Sequence, residues 1–97
     1  MKARFHHIAL EELAEAVSYY KKVDCDLAER FRTIVRTMVA NIKREPLEGP
    51  IYIDDVRRRV VSNFPYVIFY IPYENEVLIV AIMHTSREPD NWLDRID

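Results

Sequence analysis

Glycine is almost missing from this 97-residue chain; the one present is Gly49. Glycine lets backbone turn through positive φ or approach a bound group closely, so its scarcity argues against phosphate-cradling loops and long flexible linkers. Cysteine is as scarce. Cys25 stands alone, which excludes an internal disulfide and fits a reducing compartment. No apolar run approaches the ~20 residues that a membrane-spanning helix needs, and Met1-Lys2-Ala3-Arg4-Phe5 leads into no signal-peptide core. A cytoplasmic protein that does not enter a membrane is expected. Positive charge is not in excess either: 14 Lys and Arg face 16 Asp and Glu, a net charge of −2. Proteins that grip nucleic acid are usually basic, because neutralising phosphates supplies most of the non-specific affinity. Residues 51–97 hold five Arg and eight Asp or Glu, a local balance of −3, which disfavours a broad phosphate-binding face.

What is present is the profile of one globular domain, 1–97, with 49% apolar and 31% charged residues. Ala3 to Ile8 is short and partly alternating, and predicts a strand at a sheet edge. From Ala9 the period changes. Leu10, Leu13, Val17 and Tyr20, with Ala14 and Ala16 beside them, recur at helical spacing, and Glu11, Glu12, Glu15, Lys21 and Lys22 take the solvated side. Val23-Asp24-Cys25 breaks this helix, and Asp26 followed by Glu29 resembles a capping box for a second. The second helix carries Leu27, Phe31, Ile34, Val35, Met38 and Ile42 as its apolar stripe, with Arg30, Arg32, Arg36, Lys43 and Arg44 on the solvated side. It ends at Pro46. Two helices joined by about three residues form a hairpin.

Beyond a turn-rich connection through Gly49-Pro50 and Ile51-Tyr52-Ile53, three runs rich in β-branched and aromatic residues read as an antiparallel meander. They are Arg57 to Val61, Phe64 to Ile71 and Val77 to His84. Tyr66, Ile68 and Tyr70 alternate with Val67, Phe69 and Ile71, so both faces of that middle strand are apolar and both should be covered. Glu74-Asn75 offers a two-residue turn in which Asn tolerates positive φ. The helical hairpin must cover one face of the sheet, since it cannot bury its own stripes.

Taken in order, these residues resemble the RelE/ParE superfamily of toxins from bacterial toxin-antitoxin systems, and most of all its ParE branch. The resemblance runs through Ala9 to Leu13, Tyr19-Tyr20, Leu27 to Phe31, Gly49-Pro50, Val56-Arg57-Arg58, Phe64-Pro65-Tyr66 and His84 to Pro89 with Trp92. It implies an α+β fold of βααβββ order: an antiparallel meander packed by an N-terminal helical hairpin, with a short C-terminal helix or turn. It also implies a cognate antitoxin that wraps the toxin and forms an oligomer with it, growth arrest by the free toxin, and no cofactor. ParE-type members poison DNA gyrase. RelE-type members cut mRNA on the ribosome.

Those activities need different residues. The cutting branch uses a basic residue on the first meander strand, an arginine directly after the tyrosine of the next, an arginine past the last strand, and often a C-terminal Tyr or His. Arg58 matches the first and Arg87 the third. However, Val67 follows Tyr66, and Asn91 to Asp97 contain no Tyr or His. His84 could supply a proton-transfer group, so Arg58, His84 and Arg87 are the catalytic candidates if the chain is a ribonuclease. Otherwise His84 reads as a hydrogen-bonded strand end, and Arg87 as a partner of Glu88, Asp90 or the Trp92 ring. Strand alternation separates Arg58 from Arg57 and Arg59, at least one of which could pair with Asp54 or Asp55. Tyr19, Arg57, Arg59, Arg87 and Trp92 are the candidate partner contacts. His6 and His7, on opposite faces of a strand, make poor metal geometry, and no metal site is expected. The expectation is a toxin acting on a protein, with a metal-independent ribonuclease or a target-inactive interaction module as the alternatives.

Overall fold

A computed structural model describes residues 1–87 and 92–96. The element order is β1 (Lys2–Phe5), α1 (His7–Val23), α2 (Cys25–Arg44), β2 (Ile51–Ile53), β3 (Val56–Val60), β4 (Tyr66–Pro72), β5 (Glu76–His84) and a 3-10 turn, η1 (Leu93–Arg95). The strands form one mixed sheet in the order β1-β5-β4-β3-β2. The meander is antiparallel as expected, while β1 lies parallel to β5 at the edge. The short strand β2 adds a fifth member at the opposite edge.

The two faces of β4 divide the core. Ile68 and Tyr70 join Phe31, Val35 and Ile42 from α2 and Val17 and Tyr20 from α1 beneath the helices. Val67, Phe69 and Ile71 join Val80, Met83 and Trp92 on the other face. Tyr20 and Phe31 meet Phe64 and Tyr66 in a cluster of edge and tilted ring contacts between 5.0 and 6.2 Å. Such geometry sets the positive rim of one ring against the negative face of the next.

Local boundaries differ from the sequence reading in informative ways. The first strand stops at Phe5, and His6 is the N-cap of α1: its Nδ1 accepts from the Ile8 N–H at 3.1 Å. His6 and His7 therefore lie at a helix start with rings stacked 4.5 Å apart, not on opposite faces of a strand. Asp24, not Asp26, caps α2, accepting the Asp26 N–H on Oδ1 at 3.0 Å. The same residue ends α1, its N–H donating to the Tyr20 carbonyl at 2.8 Å. One residue does the work expected of three, and Cys25 becomes the exposed first residue of α2. The Glu74-Asn75 turn closes with a Tyr73 N–H to Glu76 carbonyl bond of 2.7 Å. It does so without positive φ, which occurs at Asp54 and Asn63 instead.

Gly49 is required by close packing. A Cβ there would overlap the Tyr70 hydroxyl, which donates to the Pro46 carbonyl at 2.9 Å. Tyr70 thereby ties the connection after α2 to the middle of the sheet.

A second long-range tie replaces a missing strand. The β1–β5 ladder ends at Phe5 and Ile79, where the chain turns into α1 and leaves the edge of β5 beyond it without a neighbour. The register of β5 against β4 also shifts between Phe69 and Tyr70, leaving Val80 without a partner across the ladder. Two side chains fill the gap. Arg95 donates to the Val80 carbonyl at 3.1 Å, and Glu12 accepts the Ile82 N–H at 3.0 Å. The two form a bidentate pair, with 2.9 and 3.0 Å contacts, at side-chain exposures of 9% and 13%. Buried backbone groups need partners, and this pair supplies a donor and an acceptor where a strand would have done so. Glu12 thus belongs to the core side of α1, whereas Leu10, expected in the core, is 51% exposed.

Candidate functional site

Several concave regions lie among the described residues, and three bear on function. The first, about 810 Å³, runs between the two helices and β1. Its walls are apolar: Phe5, Leu10, Leu13, Val35 and Val39. Leu10 lines this groove beside Leu13, Ala14 and Val17 of the same helix. Lys21, Arg32, Arg36 and Lys43 form the rim, and among the described residues Arg32 alone of these has a carboxylate partner, Glu29 at a loose 4.0 Å. These cations read as ordinary solvated residues in the sequence. Their one signal is the spacing of Arg32, Arg36 and Lys43, four and seven residues apart, which returns them to one side of a helix.

The second region, about 580 Å³, lies on the other side of α1, lined by Glu15, Tyr19, Tyr20, Tyr66, His84 and Arg87 among others. Tyr19 is 61% exposed with its ring edge-on to Tyr20 at 5.3 Å. Burial pushes the Tyr66 phenol above its ordinary value, and the Arg87 guanidinium only partly offsets this. Tyr66 accordingly holds its proton at neutral pH.

The third, about 180 Å³, sits on the sheet face away from the helices. Arg58, His84 and Arg87 all line it, so the fold does bring the three catalytic candidates together. The chemistry around them is incomplete. Val67, Phe69 and Met83 also line the pocket, so the position that carries arginine in the cutting branch contributes an apolar surface. His84 Nδ1 accepts the Ser86 N–H at 3.0 Å and lies 2.8 Å from the Ser86 hydroxyl, leaving Nε2 as the free ring nitrogen. The ring packs edge-on to Tyr66 at 5.2 Å.

The remaining candidates separate. Arg58 stacks over the Tyr52 ring, 5.4 Å from its centroid. Arg57 points to the helix side, where its Nη1 donates to the Leu47 and Gly49 carbonyls at 3.0 and 2.8 Å. Its charge is spent on loop structure, which leaves it a weak candidate contact. The Arg59 stem lies beside Gly49 on that same side. None of the three forms an ion pair with Asp54 or Asp55 among the described residues. Trp92 is not a surface contact: it is fully buried against Phe69 and Tyr52, with ring centroids 4.9 and 6.2 Å away. Its expected stacking with Arg87 is replaced by these aromatic neighbours. The expected partners Glu88 and Asp90 lie outside the described residues.

A family profile described as the ParE toxin of the type II toxin-antitoxin system, parDE, matches residues 3–89. The chain belongs to the ParE toxin family. Membership places it among toxins of type II toxin-antitoxin systems, a class that implies a cognate antitoxin. A solved structure, "Chromosomal ParDE TA system from P. aeruginosa", shares the fold with a TM-score of 0.75 at 16% identity, over 87% of this chain and 95% of that one. A search of curated proteins returned no match. The ParE assignment agrees with the fold derived above, including the mixed sheet and the helical hairpin. Among the described residues no helix is long and apolar enough to cross a membrane.

Proposed function

We propose that this ParE-family chain is silenced by an antitoxin segment seated in the groove between α1 and α2, and that the free chain acts on DNA gyrase. The apolar groove wall suits the non-polar face of an amphipathic peptide. The four cations on its rim, on a chain of net charge −2, call for acidic residues on that peptide's other face. Such charges act mainly on encounter rate and on choice of partner.

The observation that carries the choice of a protein target over mRNA cutting is the incomplete third pocket. Cleavage without metal needs charge stabilisation at the scissile phosphate and groups that move two protons. Val67 stands where a cation would, and residues 91–97 contain no Tyr or His to move a proton. The meeting of Arg58, His84 and Arg87 in one pocket keeps ribonuclease activity as the second reading.

Growth on expression without the antitoxin decides between them. Arrest with filamentation, double-strand DNA breaks and intact transcripts is expected. Codon-specific mRNA cuts, lost on replacing His84 and Arg87 by Ala, would instead establish the ribonuclease. Normal growth would mark a target-inactive interaction module.

A further inference from the structure

Among the described residues, no carboxylate lines the third pocket beside its two arginines. Arg4, Arg32 and Arg95 each pair with a glutamate; among the described residues Arg58 and Arg87 form no such pair, and Arg87 borders Glu12 and Glu15 only across the second region. The fold holds the Arg58 side chain and the backbone that carries Arg87. Arg58 lies over Tyr52, whose ring is held against Phe69 at 5.3 Å. Arg87 ends a turn fixed at three points: Thr85 N–H to the Pro65 carbonyl at 2.9 Å, Arg87 N–H to the His84 carbonyl at 3.1 Å, and Ser86 N–H to His84 Nδ1. Cations unpaired among the described residues suit an anion, and the stacking of Arg58 on Tyr52 meets part of the side-chain ordering cost in advance.

The pocket's size and lining indicate which anion. About 180 Å³ falls below the ~300 Å³ at which small-molecule and cofactor pockets begin, so a nucleotide does not fit within it. A carboxylate with its short stem does. Val67, Phe69 and Met83 offer the stem an apolar surface, and the planar guanidinium fork matches the two oxygens of a carboxylate. We infer that this pocket captures an aspartate or glutamate side chain from an acidic, partly apolar segment of the toxin's protein target. The inference rests on the reading that the chain acts on a protein. It assigns that contact to the sheet face away from the helices, since none of the residues lining this pocket lines the groove proposed for the antitoxin.

Trp92, the one tryptophan, packs beside Tyr52 and reports on the pocket by its fluorescence. The purified chain is titrated with a capped tetrapeptide, Leu-Asp-Glu-Leu, and with inorganic phosphate and a short RNA oligonucleotide as competitors. Saturable peptide binding is expected, about tenfold weaker in Arg58→Gln with Arg87→Gln, at unchanged Tm. Absence of binding, an unaffected double variant, or displacement by phosphate or RNA at lower concentration than peptide would overturn the inference. In cells the double variant should lose growth arrest while binding antitoxin with unchanged affinity; retained arrest would overturn the assignment to the target. If the parent chain arrests nothing, the toxin reading fails, and the peptide titration still decides the pocket.

Discussion

His6 shows how a single side chain couples this fold to pH. As the N-cap of α1 it must present an unprotonated Nδ1 to the Ile8 N–H. Its pKa lies below the ordinary 6.5, chiefly because burial disfavours the charged ring, with His7 and Arg95 adding repulsion and Glu12 and Asp94 opposing them. A group whose folded pKa is depressed binds fewer protons folded than unfolded, so its contribution is complete above pH 6.5 and lost as pH falls through the folded value. Denaturant midpoints should therefore drop as pH is lowered from 7 through this window, and His6→Asn, which keeps an acceptor at the cap, should flatten that part of the profile. An unchanged slope in the variant would show that another group carries it. Asp24 and Gly49 make a related point about legibility. Asp24 could be seen as a helix break, but its double duty depends on a one-residue junction that two overlapping periodicities do not resolve. The scarcity of glycine marked Gly49, yet only the fold shows that the Tyr70 hydroxyl leaves it no room for a Cβ.

At the level of elements, the two helices and the meander were readable because their signals are local: a 3.6-residue period, a 2-residue period and Pro46 as a stop. The C-terminal segment was harder to read, because its partners are 83 and 15 residues away in the Glu12 and Val80 contacts of Arg95. Glu12 looked solvated for the same reason, and Trp92 looked like a contact residue because exposure cannot be judged in a segment without periodicity. The structure makes this segment a latch: Trp92 fills the open face of the sheet, and Arg95 closes the edge of β5. Glu12→Ala leaves Arg95 without its carboxylate and the Ile82 N–H without an acceptor, so a loss of about 3 kcal/mol is expected. Arg95→Ala should cost a similar amount, and the double variant much less than the sum of the two. Chemical denaturation of the four proteins measures this; strictly additive losses would mean that the pair is not an energetic unit.

Viewed whole, the molecule has two different faces on one small sheet. The helical hairpin presents an apolar groove with a cationic rim, and the opposite face presents Arg58 and Arg87 around an apolar pocket. Order and spacing of residues indicated the fold and the ParE family, since both are distributed over nearly the whole chain. The site was legible only in part. Arg58, His84 and Arg87 do converge, but Arg57 turned to loop carbonyls and the groove cations were indistinguishable from solvated charge, because which side of a helix meets a partner is decided by packing. The proposed role of this convergence is binding to a protein and not the cutting of RNA. Its most direct test is gyrase-mediated cleavage of supercoiled plasmid in the presence of the purified chain. Cleaved DNA should accumulate with rising toxin and disappear when antitoxin is added first. Unchanged gyrase products, together with messages cut in the A site of translating ribosomes by the same preparation, would contradict it.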